Sequence, residues 1–315
     1  MLANNNKAII NKLVKNSVRS NKKQYGILFF TIVLSAFMLF CVFTIGLAYL
    51  DSSRLQNTRL NGSEYDITTL NGFTAKQLDT LRKNKDIQSV GIESYAGFIK
   101  SSEFDDTVEI GLLWCDEVFW NSLMAPARTQ LTGQYPQAKN ELMVTKDILK
   151  ACGNENLSVG DSLVLTYENN NGIDTEEFVI SGIWDGYGDT SVGFVSGAFY
   201  DETGYDLGSD GILCIKLKHN YVLPATIKSI ENSLNFSDRQ IFVPTAYIEN
   251  SFKLLLGICG LALVICLSAY LLIYNILYLS VSGKIRYYGL LQSLGMTKQQ
   301  LGYFIAKQML FIGIL

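Results

Sequence analysis

The chain has 315 residues, 48% of them hydrophobic, with a formal charge of −3 and one histidine, His219. A single histidine excludes His-rich zinc chemistry, and a lone histidine is more often structural or exposed than catalytic, which argues against Ser-His-Asp and Cys-His catalysis. The near-neutral total conceals a partition: all 29 acidic residues lie between Asp51 and Glu249, and both end segments carry only positive charge.

Counted by segment, residues 1–50 hold six basic and no acidic residues, for +6. Residues 51–252 hold 15 basic and 29 acidic residues, for −14, and residues 253–315 hold five basic residues, for +5. This sorting describes an α+β membrane protein: transmembrane helices bracket an acidic, mixed α/β domain on the far side of the bilayer.

Residues 1–24 come first. Ile9, Ile10, Leu13, Val14 and Val18 recur at helical spacing, with Lys12, Lys15, Arg19 and Lys22 mostly off that stripe. A basic amphipathic helix of this kind is expected along the inner leaflet, with membrane lipid as its partner. The alternative is a topogenic flank without fixed structure. Residues 25–50 carry no charge. About 20 apolar residues cross a hydrocarbon core of about 30 Å, so this run is expected to be the first span. It is too long for a signal peptide, whose apolar core is about 7–15 residues.

Residues 51–252 read as one compact region with two lobes. Strands are expected at 65–70, 108–114, 163–167, 178–183 and 212–217, and helices at 74–84, 146–152 and 224–234. Thr74 and Gln77 form a weak capping box. Asn169 to Gly172 reads as a hairpin turn. The acid pairs Asp105-Asp106 and Glu176-Glu177 need no catalytic explanation on an acidic surface. The loop from Asp185 to Asp189 lacks the ligand count of a calcium site. No catalytic, metal or cofactor-binding residue is expected, and nucleic acid is not an expected partner. Cys115, Cys152 and Cys214 permit at most one bridge; a region with its own core is expected to leave them free.

Residues 254–283 are a second uncharged run, about 45 Å long if fully helical, so it must tilt or stand clear of the bilayer. With residue 253 it forms the expected second span. Basic residues stay on the cytoplasmic side, which places 1–24 inside, 51–252 outside and the 284–300 loop inside again. Neither uncharged run, 25–50 or 254–283, contains an ionisable Asp, Glu, Lys, Arg or His, which argues against an ion-coupled carrier. Residues 301–315 reach only about 22 Å and are expected to begin an incomplete third span of a longer protein.

The 284–300 loop reads KIRYYGLLQSLGMTKQQ. Ile285, Tyr288, Leu291 and Leu294 fall at near-helical steps and are expected to form one apolar face. Gly295 ends that helix and Thr297 caps the next. Such a helix suits docking on a soluble partner, or lying on the bilayer surface.

This loop resembles the cytoplasmic coupling segment of the FtsX-like permease family of ABC transporters. Arg286, Gly289, Leu291, Ser293-Leu294 and Gly295-Met296-Thr297 match its run. Tyr287 stands where the family often has Glu, so no salt bridge from that position is expected. Outside the membrane, Leu131-Thr132-Gly133-Gln134-Tyr135-Pro136 and Asn140-Glu141-Leu142-Met143-Val144 resemble a MacB-like extracytoplasmic core domain. Val159-Gly160-Asp161-Ser162 and the 178–183 strand continue that similarity. The resemblance implies a permease subunit, dimeric or pseudo-dimeric, working with a cytoplasmic ABC ATPase in a bacterial membrane. The implied coupling residues are Arg286, Tyr287, Tyr288, Gly289, Leu290, Leu291, Gly295, Met296 and Thr297. No Gly-x-x-x-x-Gly-Lys-Ser/Thr occurs here, so ATP is expected on the partner chain. The implied cargo is amphiphilic: a peptide, lipid-linked molecule, lipoprotein or drug. A mechanical signalling subunit and an anchored binding module without ATPase are the alternatives.

Overall fold

The computed structural model describes residues 7–20, 22–100, 110–187 and 192–313. Asp105-Asp106, the first two residues of the strand expected at 108–114, and the end of the Asp185-to-Asp189 loop fall outside the described residues.

In chain order, α1 (Lys7–Ser20) and α2 (Lys22–Asn61) lead into β1 (Ile67–Leu70), α3 (Ala75–Lys83), β2 (Ile87–Lys100) and β3 (Ile110–Cys115). A π-helical turn, Phe119–Leu123, precedes β4 (Arg128–Gly133), β5 (Glu141–Thr145) and α4 (Lys146–Ala151). The hairpin β6 (Ser162–Asn169) and β7 (Gly172–Gly186) is followed by β8 (Val192–Val195), α5 (Gly197–Tyr200) and β9 (Ile212–Leu217). The chain then forms α6 (Pro224–Ser233), β10 (Ile241–Pro244), α7 (Ala246–Ser282), α8 (Ile285–Ser293) and α9 (Lys298–Gly313). It divides into two compact units, Met1–Ala48 with Leu256–Leu315, and Tyr49–Leu255.

Among the described residues, the first unit's regular structure is all helical. Two helices are long and apolar enough to cross a membrane by length and composition. Phe30, Phe40 and Leu279 are each about two-thirds exposed in the isolated chain (67%, 66% and 67%). A water-soluble core would bury such side chains, whereas lipid tails would cover them. The second helix does not stop at residue 50. Nothing from Asp51 to Asn61 is glycine or proline, and Gly62, at φ 69°, follows its last residue. Within this unit Tyr25 and Leu28 of α2 pack with Ile273, Ile276 and Leu277 of α7. The Tyr25 hydroxyl donates to Gln308 Oε1 of α9 at 3.3 Å.

The second unit is built on a ten-stranded mixed sheet, ordered β10-β1-β9-β2-β3-β8-β5-β7-β4, with β6 pairing β2 and β7. Most pairs are antiparallel; β3–β8 and β5–β7 are parallel. Two large hydrophobic clusters, with Trp114 and Leu207 packed against both, flank the sheet's centre in this one unit. Leu81 of α3 and Ile227 and Ile230 of α6 join Ile67, Val90 and Ile215 from the strands in one cluster. Ile148 and Leu149 of α4 and Phe199 of α5 join Leu142, Leu163, Phe178 and Ile180 in the other. A third cluster, with Phe119, Trp120, Trp184 and Phe194, includes both Cys115 and Cys214.

The expected strands and helices of the outer region fall on β1, β3, β6, β7 and β9 and on α3, α4 and α6. The Thr74 capping box forms: Gln77 N donates to Thr74 Oγ1 at 3.2 Å and Thr74 N donates to Gln77 Oε1 at 2.8 Å. Asn169 pairs with Gly172 across the β6–β7 turn. The longest unread element is β2, fourteen residues with three strand partners. It is buried along much of its length, so strict alternation, the usual strand signal, is lost. Gly133, in the first extracytoplasmic motif, has a plain steric reason. Its φ is 86°, and a Cβ there would stand 2.2 Å from the Ser181 carbonyl oxygen.

Candidate functional site

The segment from which coupling to an ATPase is expected lies in the helical unit. Arg286, Tyr287, Tyr288, Gly289, Leu290 and Leu291 all fall on α8. That helix closes in a Schellman motif: Gly295 N donates to Gln292 O and Met296 N to Leu291 O, both at 3.0 Å. Gly295 supplies the φ of 102° that the motif requires. Thr297 then caps α9 reciprocally, receiving Gln300 N on its hydroxyl at 3.2 Å while its own N–H donates to Gln300 Oε1 at 3.1 Å. The sharp reversal between the two helices thus follows from Gly295 and Thr297.

The apolar face expected of α8 is divided. Tyr288 is buried with Ile10 and Val14 of α1 and Phe304 of α9, and Leu291 packs partly against them. Ile285, Leu290 and Leu294 stay exposed. The stripe read from the sequence as one outward face is therefore consumed at its centre by the chain's own first helix. The apolar side of α1 meets protein at Ile10 and Val14, where the amphipathic pattern had pointed to lipid. Lys284, between α7 and α8, has its Nζ buried without a hydrogen-bond partner, 5.4 Å from the centroid of the Tyr25 ring. Burial pushes its pKa down.

A second site lies in the outer unit, in the short segment from Glu64 to Asp66. Glu64 is ion-paired both to Arg54, near the end of α2, and to Lys216 of β9. Two residues on, Asp66 Oδ2 accepts the Leu217 N–H at 2.8 Å, and the Asp66 carbonyl accepts the Thr245 N–H at 2.8 Å, just before α7. Thr245 in turn caps α7 through Ile248 N at 3.4 Å, and Ile248 is buried in the core beside β1 and β9. Arg59 adds a cation–π contact, its guanidinium 4.1 Å from the Tyr187 ring centroid. One three-residue segment therefore holds the outer end of α2, the start of α7 and the edge of β9 together. Sequence reasoning missed this joint because Glu64 and Lys216 are 152 residues apart and carry no local pattern.

Glu93 of β2 is the third notable group. Its carboxylate sits against Cys214 Sγ at 3.5 Å, with Tyr65 and Cys115 also near. Burial pushes its pKa up to about 7 and pushes both thiols up, leaving them weak nucleophiles. Tyr135, from the Gly-x-x-Pro motif, spans the same region. Its hydroxyl accepts the Cys115 N–H at 3.0 Å and donates to the Val195 carbonyl at 3.2 Å.

No family model matches the chain, and no curated protein matches it. Solved structures similar to it include the periplasmic region of MacB from Actinobacillus actinomycetemcomitans. That structure is 14% identical, with a TM-score of 0.41, over 62% of this chain and 95% of the other. Another is the extracellular domain of the noncanonic ABC-type transporter YknZ from Gram-positive bacteria, 11% identical with a TM-score of 0.37, over 56% of this chain and 98% of the other.

Proposed function

We propose that this chain is the transmembrane permease subunit of an ABC transporter. A separate cytoplasmic ATPase docks on α8, and its nucleotide cycle is passed through the long helices α2 and α7 to the outer domain. The single observation that carries the reading is α8 itself. A short helix, matching the coupling-segment pattern at Arg286, Gly289, Leu291 and Gly295, is closed by a Schellman turn and leaves Ile285, Leu290 and Leu294 exposed. Exposed apolar side chains beside Arg286 suit a protein groove. The orientation rests on the charge partition: basic flanks inside, the acidic domain outside.

The joint at Glu64 and Asp66 gives the motion somewhere to act, because it ties both helix ends to β9. The cargo is amphiphilic, and the subunit works in pairs in the bacterial cytoplasmic membrane. The test is co-purification of the full-length protein with its ATPase from native membranes, followed by ATPase assays in lipid. Recovery of an ABC ATPase whose turnover depends on this chain supports the reading. Recovery of none, with the protein intact, overturns it.

A further inference from the structure

Among the described residues, two that are not glycine have positive φ: Asn71 at 68° and Asn235 at 45°. Both line one cavity of about 420 Å³ in the outer unit, a size that accommodates a small ligand. Its floor is prearranged. Gln77, buried, and Gln240 donate to each other's side-chain oxygens at 2.9 and 3.1 Å. Their remaining donor contacts go to the Leu234 and Gly72 carbonyls at 3.0 and 2.8 Å. The cavity opens at one end of β1 and β10. Leu70 pairs with Ile241 at that end, and Ile67 pairs with Pro244 at the end where the joint to α7 lies. Three residue steps, about 10 Å, separate the two ends.

The charge of the lining is the reverse of its surroundings. Residues 51–252 carry −14, yet the cavity's charged lining residues are Lys76 and Arg239, both exposed and neither in an ion pair among the described residues. Among the neighbouring acids, none of which lines the cavity, Asp238 adjoins Arg239 and two others are engaged. Asp79 pairs with Lys83 at 3.7 Å, and Asp210 accepts Ser209 Oγ at 2.7 Å and Asp206 N at 3.0 Å. Apart from Leu234 and Gly208, the rest of the wall is hydroxyl and amide, including Thr74, Ser237 and Asn235, with no aromatic side chain. Such a lining disfavours a flat apolar ligand and suits a body covered in hydroxyl groups that bears an anion. A phosphate meets the point charge of a lysine and the planar fork of an arginine at once.

We propose that this cavity binds a soluble sugar phosphate. The lysine and arginine take the phosphate, and the hydroxyl and amide wall takes the sugar hydroxyls. The inference is separate from the permease reading, since binding is read with no ATPase present. The experiment is calorimetric titration of the full-length protein, in nanodiscs of neutral lipid, with glucose 1-phosphate, glucose and inorganic phosphate. Lys76→Gln and Arg239→Gln test the site, and Lys83→Gln is the control. The expected result is saturable binding of glucose 1-phosphate, weaker binding of phosphate and none of glucose. Each site variant is expected to weaken binding about tenfold, with the control unchanged. No saturable binding of glucose 1-phosphate overturns the proposal. So does binding unchanged in both site variants, or inorganic phosphate binding as tightly as the sugar phosphate.

Discussion

Asp66 and Leu217 are bonded across 151 residues of sequence, the Leu217 N–H donating to Asp66 Oδ2 at 2.8 Å inside the outer domain. The Asp66 backbone carbonyl also holds the residue that caps α7, so one residue orders both a strand and a helix start. Replacing Asp66 with alanine strands the buried Leu217 amide. The variant is expected to lose about 1–3 kcal/mol of outer-domain stability. All three tryptophans, Trp114, Trp120 and Trp184, lie in that domain, so urea unfolding followed by tryptophan fluorescence reads it directly. An unchanged midpoint would mean the joint holds nothing.

Glu93 sets a pH dependence with a definite sign. Its folded pKa stands near 7, above the ordinary 4.5, because burial disfavours its charge. The folded state therefore holds a proton that the unfolded state has released between these values, and stability falls as pH rises through that window. Below pH 4.5 and above pH 7 this group contributes no slope. The full effect is on the order of 3 kcal/mol. Glu93→Gln is expected to flatten the profile between pH 5 and pH 7, as measured by denaturant midpoints across that range. A profile with the same slope in the variant would assign the titration to another group, such as Asp66, whose pKa burial also raises.

Gly295 is a backbone requirement. At φ 102° a Cβ is strained whatever space surrounds it, and here nothing lies within 4 Å of one. Gly295→Ala is expected to cost about 1 kcal/mol through strain alone and to fray the end of α8. Trypsin cleavage after Lys298 in detergent is the readout, with faster cleavage expected in the variant. Equal cleavage rates would show that the turn tolerates a side chain.

Local chemistry made several elements legible. Thr74 with Gln77, Gly295 and Thr297 each carry their structural role in one or two residues, and each does in the structure what its type suggests. The charge partition marked the outer region because the acids are sorted along the chain. Other features rest on pairings that no local window contains. Strand β2 lies between partners on both sides and lacks alternation. The Glu64 and Asp66 joint joins segments about 150 residues apart. The division of the α8 face is of the same kind: an apolar stripe shows that something covers it, and only the packing of Ile10, Val14 and Phe304 on Tyr288 shows that the cover is the chain itself.

That division changes which substitution tests the docking surface. Leu291 packs against the cluster formed by α1, α8 and α9, so a charge there attacks the fold of the unit as well as any partner. Leu290, one position earlier and 59% exposed, belongs to no core cluster among the described residues. Leu290→Asp is therefore expected to leave expression and thermal stability in detergent unchanged while abolishing recovery of the ATPase. Leu291→Asp is expected to lower thermal stability and recovery together. Running both variants beside the wild type separates loss of docking from loss of structure. If Leu290→Asp retained the ATPase at wild-type levels, the exposed face of α8 would not be the docking site, and the basic face of α1, with Lys12, Lys15 and Arg19 exposed, would be the next surface to test.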